Sequence, residues 1–196
     1  MINLNYLENF FFTSSLNYII KENLRKFKNI SIIYNTDKNS LNVSEFLKIR
    51  EFCKKEKIKI YFPDNIKLAI KLGADGLFIS SKNNKIFQPY KKSFKIIGAI
   101  HNQNEFYFKL LQKCEYFFLS PIFNNPKYSD NKILGTIKFN LISQNWRCKL
   151  IALGGINSKN FKKIYLTKST GAGFVSWINE AIIKKPVYLK NTRALT

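Results

Sequence analysis

Histidine occurs once in this chain of 196 residues, at position 101, and cysteine only three times. A zinc cage needs several His or Cys at short spacing, and neither His101 nor Cys53, Cys114 and Cys148 offers one. The cysteines are odd in number and widely spaced, which argues against a disulfide framework and fits reduced core thiols. Long apolar runs are also missing. Phe10-Phe11-Phe12 follows Glu8 and Asn9 without a basic leader, and no stretch reaches the roughly 18 apolar residues that cross a bilayer. Neither signal peptide nor membrane anchor is expected, and the chain reads as cytoplasmic. No Pro/Gly/Ser-rich linker divides it, so one domain is expected, residues 1–183, with 184–196 as a basic tail. Between Tyr6 and Ser15 there is no glycine at all, which removes the G-x-G-x-x-G turn that a doubly wound dinucleotide-binding sheet carries after its first strand.

The apolar fraction is 45% and the aromatic fraction 15%, ample for one packed interior. Against 12 Asp and Glu stand 33 Lys and Arg, a net charge of +21. Such a balance ordinarily suggests a polyanionic partner. Here the cations are overwhelmingly Lys, scattered along the chain and accompanied by Asn, Ile and Phe, residues that share A/T-rich codons. Codon bias accounts for the excess without nucleic-acid binding, and the chain has no Arg-rich stripe or recognition-helix motif. The residual field still draws phosphorylated metabolites toward a cleft.

Eight β-branched or aromatic runs alternate with segments of helical period, the pattern of βα units around a parallel sheet. The strands are expected at 6–12, 30–34, 58–62, 76–79, 95–100, 116–119, 149–153 and 172–175. Thr13-Ser14-Ser15 is expected to cap the first helix, Ser44 the second, Asn102 or Asn104 the helix carrying Phe106, and Ser158 the helix carrying Phe161 and Ile164. Further helices are expected up to Gly73, near 136–144 and from 176 to about 183. Segments 80–92 and 120–130 read as loops, the first with one helical turn. The expected fold is a single compact (β/α)8 TIM barrel, the open doubly wound sheet being the runner-up.

The most informative local feature is Ile151-Ala152-Leu153-Gly154-Gly155-Ile156. Two consecutive glycines let backbone N–H groups approach an anion without interference from a Cβ, at the rim where a barrel keeps its phosphate site. Where the eighth strand runs into a helix start, the N–H groups of Val175 and Ser176 could meet the same phosphate.

These segments also carry a family resemblance. "ALGGIN", followed some twenty residues later by "GAGFVSWI", is similar to the "AIGGI" and "GVAVVSAI" segments of the thiamine phosphate synthase and TenI family. "KLAIKLGADGLFISSKN" resembles "A-x-x-x-GADGVHLGQ-x-D", "IIGAIHNQNE" resembles "IGVSTHS-x-EE", and "YFFLSPIFNNPK" resembles "DYVGFGPVFPTPTK". The matches are colinear over roughly residues 58 to 178. The resemblance implies an enzyme that couples a pyrimidine pyrophosphate to a thiazole phosphate with loss of pyrophosphate, assisted by Mg2+.

Position by position, the resemblance implies phosphate contacts at Gly154, Gly155, Val175, Ser176 and Asn125. It leaves Lys38 from a Q-L-R-x-K segment and Lys127 from T-P-T-K as catalytic cations. Asp64 keeps one magnesium carboxylate, and the second becomes Asn83, a weaker donor for a hard cation. His101 falls where the TenI-type tautomerases carry a histidine, which suits proton transfer. The alternatives are a tautomerase acting through His101, a barrel that binds a phosphometabolite without turnover and, last, a basic nucleic-acid-binding protein.

Overall fold

The computed structural model describes residues 7–27, 29–35, 41–86, 94–124 and 132–179. Eight strands follow one another around a closed barrel: β1 (Glu8–Thr13), β2 (Ile30–Tyr34), β3 (Lys59–Pro63), β4 (Gly76–Ile79), β5 (Lys95–Ile100), β6 (Tyr116–Leu119), β7 (Leu150–Leu153) and β8 (Gly171–Phe174). β8 returns to pair in parallel with β1, Phe11 opposite Phe174, so no sheet edge remains and the open doubly wound alternative is excluded. Helices α1 (Tyr18–Leu24), α2 (Val43–Lys55), α3 (Ile66–Lys71), α4 (Gln103–Leu111) and α5 (Gly135–Trp146) lie between strands, with 3-10 helices at Phe161–Leu166 and Trp177–Asn179. The expected strands are all present, within two residues of their expected ends. The expected helix from 176 appears as the 3-10 turn Trp177–Asn179, and its continuation and the tail 184–196 lie outside the described residues.

Alternation along each strand sorts the side chains into two cores. Phe10, Phe12, Ile33, Tyr61, Phe118 and Ile151 belong to a cluster that fills the barrel, while Phe11, Ile32, Phe62 and Phe174 belong to the layer under the helices. Aromatic rings fill much of the barrel: Phe118 meets Phe10, Phe12 and Phe78 edge-on at centroid distances of 5.0, 5.5 and 5.8 Å. Edge-to-face pairs of this kind contribute about 0.5–1.5 kcal/mol each beyond area burial.

The helix starts correct the expected caps. Asn17 Oδ1 accepts from the N–H of Ile20 and Asn42 Oδ1 from that of Glu45, so asparagine and not the Thr13-Ser14-Ser15 cluster or Ser44 caps α1 and α2. Thr13 is spent locally, its hydroxyl donating to the carbonyl of Ser15, and Ser44 donates to the cap Asn42 instead of capping. Asn65 and Asn102 cap α3 and α4 in the same way. Nor does Ser158 start an α-helix. Asn157 and Asn160 take up the free backbone groups of that turn, and a 3-10 segment follows.

Candidate active site

At the end of β7 the chain turns through Gly154 and Gly155 with φ of +94° and +70°. A Cβ on residue 155 would stand 2.4 Å from the carbonyl oxygen of Asn124 and 2.5 Å from that of Phe123, so only glycine lets this turn lie against the loop after β6. That loop is held in place by Ile122 N–H to the Leu153 carbonyl and Phe123 N–H to the Gly154 carbonyl, at 2.9 and 3.1 Å. Gly154, Gly155, Asn124, Gly173, Val175 and Ser176 then line a concavity of about 190 Å3 at the C-terminal mouth of the barrel. Among the described residues, the N–H groups of Gly155, Ile156, Val175 and Ser176 donate to no other part of the chain. The four expected phosphate contacts at 154, 155, 175 and 176 are therefore brought together. Asn125 lies outside the described residues, as do Lys38 and Lys127, whereas Asn124 lines the concavity.

Sequence reasoning missed the pair that orients this cup. Asn160 Nδ2 donates to the Gly155 carbonyl at 2.7 Å, and Asn160 Oδ1 accepts from Asn157 N–H at 2.8 Å. Because C=O and N–H of a trans peptide point oppositely, fixing the Gly155 carbonyl toward Asn160 turns the N–H of Ile156 the other way. An Asn directly after a Gly-Gly-Ile turn, with a second Asn three residues on, is the signal that could have found it.

Half the barrel away, β3 and β4 present a larger pocket of about 520 Å3, lined by Asp64, Asn65, Ser80, Lys82, Asn83 and Lys85 among others. Asp64 has a left-handed φ of +54° that turns its side chain toward the end of β4. Its Oδ1 accepts from Ser80 N–H and from Asn83 Nδ2, both at 2.9 Å. The two expected metal residues do meet, but as a hydrogen-bonded pair. A carboxylate only accepts, so the Asn83 amide must face it with its NH2 group, and the Asn83 Oδ1 in turn accepts from Lys85 N–H at 3.0 Å. Asp64 Oδ1 and Asn83 Oδ1 are thus both engaged in hydrogen bonds, the one carboxylate here is already paired to an amide, and Lys82 and Lys85 line the same pocket. Among the described residues no three His, Cys, Asp or Glu gather as a cation site. This donor set does not fit Mg2+, which binds through charge and several oxygens at near-octahedral geometry.

His101 stands on the same rim, at the end of β5. Glu105 reaches back from the first turn of α4, its Oε2 accepting from the His101 backbone N–H at 2.7 Å and lying 3.0 Å from Nδ1. A carboxylate 3.0 Å from Nδ1 holds the orientation of the ring. The i, i+4 spacing of His101 and Glu105, just past the cap Asn102, was the sequence signal for this partner.

The profile of a family described as thiamine monophosphate synthase matches residues 23–181. Thiamine-phosphate synthase 1 of Streptococcus pneumoniae is 29% identical over 141 residues, covering 69% of this chain and 66% of that protein. The chain thus matches slightly less than two thirds of that relative's length. Thiamine-phosphate synthase of Pelagibacter ubique is 26% identical over 172 residues, covering 86% of this chain and 82% of that one. The solved thiamine phosphate pyrophosphorylase of Pyrococcus furiosus shares the fold, with a TM-score of 0.68, 17% identity and 92% coverage of both chains. With a barrel closed in the expected order, a glycine-built concavity after β7 and a profile match across most of its length, this chain belongs to the thiamine monophosphate synthase family.

Proposed function

We propose that this protein is a thiamine phosphate synthase, coupling a pyrimidine pyrophosphate to a thiazole phosphate. The observation that carries the reading is the cup at Gly154-Gly155 and Val175-Ser176, where four N–H groups without acceptors among the described residues line one small concavity. Neutral N–H donors fixed before the ligand arrives bind a phosphate without reorganisation. The pocket beside Lys82 and Lys85 lies across the mouth and takes the diphosphate. In the reaction, the bond from the pyrimidine methylene carbon to the diphosphate oxygen breaks with its electrons on pyrophosphate, and the thiazole nitrogen lone pair closes on the carbon. No proton moves in that exchange, so the chain supplies position and positive charge. Lys82 and Lys85, and the sequence positions Lys38 and Lys127, supply the charge in this reading. Mg2+, implied by the family resemblance, has only Asp64 to hold it. Residues 1–183 form the catalytic unit, 184–196 a basic tail, and the enzyme works in the cytoplasm on these two small phosphorylated partners.

The test is to incubate the protein with both precursors, with Mg2+ and with a chelator, and to follow thiamine phosphate by chromatography. Product formation is expected. No product from a preparation that binds thiazole phosphate would overturn the reading.

The His101–Glu105 pair favours a second reading, because the coupling leaves it without work. A rim imidazole held by a carboxylate suits proton transfer on the thiazole phosphate ring, the TenI-type isomerisation. His101→Ala abolishes solvent proton exchange into thiazole phosphate on this reading, and unchanged exchange would exclude it.

A further inference from the structure

One charged side chain has been taken out of water without any part in the chemistry above. Lys109, near the end of α4, is fully buried, with 0% of its surface exposed. Its stem crosses β5 at Gly98, where a Cβ would stand 2.8 Å from Lys109 Cδ and 2.9 Å from Cys114 Sγ. A helical side chain leans back toward the helix N-terminus, so the ammonium is delivered toward the rim. There Nζ donates to the carbonyl of Asn83 at 2.8 Å and, at the long limit of 3.5 Å, to that of Ser81. Gln112, one turn on and also buried, donates from Nε2 to the carbonyls of Asn83 and Lys85, both at 2.8 Å. The Asn83 carbonyl thus accepts from two buried donors while its side chain grips Asp64.

Burying an ammonium costs several kcal/mol in real proteins, and such groups persist where they are paired or have work to do. Burial pulls the Lys109 ammonium below its ordinary pKa, opposed by Cys114, Asp64 and Glu105. The loop that it holds is the wall of the diphosphate pocket.

We propose that the Lys109 ammonium is a built-in cation that braces the ends of β3 and β4 where a divalent metal would otherwise bridge two carboxylates, so that Lys109 is a positioning residue of a metal-independent diphosphate pocket. The chain of contacts runs from Lys109 to Asn83 and from Asn83 to Asp64, and the carboxamide at 83 is what makes it self-sufficient. An aspartate there would face Asp64 with like charge and need an external cation. This rests on the reading of the pocket as the diphosphate site, and the tests below separate the two.

The first experiment measures the melting temperature of the full chain with 10 mM Mg2+ and with chelator, for wild type and Asn83→Asp. Mg2+ leaves wild type within about 1 °C and raises Asn83→Asp by several degrees. A comparable rise in wild type, or no response in Asn83→Asp, overturns the inference, whether or not the enzyme turns over. The second titrates inorganic pyrophosphate by calorimetry. Wild type binds equally, within about threefold, in Mg2+ and in chelator, and Lys109→Met weakens pyrophosphate at least tenfold while thiazole phosphate affinity is kept. A tenfold dependence on Mg2+ in wild type, or unchanged pyrophosphate affinity in Lys109→Met, overturns it. Should Lys109→Met lose thiazole phosphate as well, the global fold has suffered and the melting experiment decides. If wild type binds no pyrophosphate in either buffer, the diphosphate reading fails, and the melting experiment again decides the brace.

Discussion

Replacing Gly155 by alanine puts the anion cup to its most direct test. Residue 155 has φ +70°, and holding a residue with a Cβ in the left-handed region costs about 1–2 kcal/mol. The new methyl would also sit 2.4 and 2.5 Å from two backbone oxygens, which cannot swing aside as a flexible side chain would. Overpacking of this kind costs about 1–3 kcal/mol more, so the variant is expected to be destabilised by roughly 2–5 kcal/mol. Relief comes only by pushing the turn away from the loop after β6, which draws the N–H of Gly155 or Ile156 out of the cup. A hydrogen bond to a charged group is worth about 1.5–3 kcal/mol, so losing one weakens phosphate about 10- to 150-fold. Urea unfolding reads the first part and calorimetric titration with thiazole phosphate the second. A variant unfolding within 0.5 kcal/mol of wild type (~0.5 being ordinary surface scatter) and binding thiazole phosphate within about threefold would refute this account of the cup.

Three further outcomes follow from contacts around the rim. Asn160→Ala leaves the Gly155 carbonyl with only the long 3.4 Å contact from Asn157 Nδ2, strips the Asn157 N–H of its partner and costs about 1–2 kcal/mol in urea, with weaker phosphate binding; unchanged stability would mean that water replaces the amide. If His101 and Glu105 act as one unit, Glu105→Gln and His101→Gln are strongly non-additive in proton exchange, and simple additivity would show that Glu105 only ends the helix. Burial pushes the Cys53 and Cys114 thiols up to about 12 and the half-buried Cys148 to about 11. The native state therefore keeps protons that the unfolded chain begins to release near pH 9, and the contribution of these thiols to stability falls as pH climbs from there toward 12. Disulfide-exchange labelling of the native protein is expected to modify Cys148 first and to keep rising with pH through pH ~10, where an ordinary thiol is already mostly ionised. A common plateau near pH ~9 for all three would contradict the burial.

The barrel was legible because its signal is repeated eight times and each strand is mostly buried, so periodicity and length agree in every unit. The turn after β7 was legible for a related reason: two consecutive glycines at a strand end mark a tight turn, and both residues adopt a positive φ there. What sequence hid were polar groups whose partners are distant in the chain. Lys109 lies between Phe108 and Leu110 in a short helix and reads as an ordinary solvated lysine; only Gly98, eleven residues earlier and small in mid-strand, hints that something must pass over β5. Asn83 was read as a poor metal ligand because the resemblance put a carboxylate there, whereas the Asp64 oxygen turns its amide into a donor. The misassigned caps share a simpler cause. Ser, Thr and Asn all suit the position, and the choice among neighbours depends on which one stands three residues before the amide that is left open.

The strand order carries a consequence of a different kind. β3 and β4 lie four places from β7 and β8 around a ring of eight, so the two rim pockets sit at opposite ends of one diameter. Their separation is set by hydrogen-bonded strands and by the rings of Phe10, Phe12, Phe78 and Phe118 wedged between them. Such a ring cannot be narrowed at one point without disturbing all of its ladders. On the proposed function, the barrel works as a caliper of fixed gauge: a pair of phosphorylated molecules fits only if its charged ends span the mouth when the reacting atoms touch, and pairs that are too long or too short are rejected before any side chain has read their chemistry.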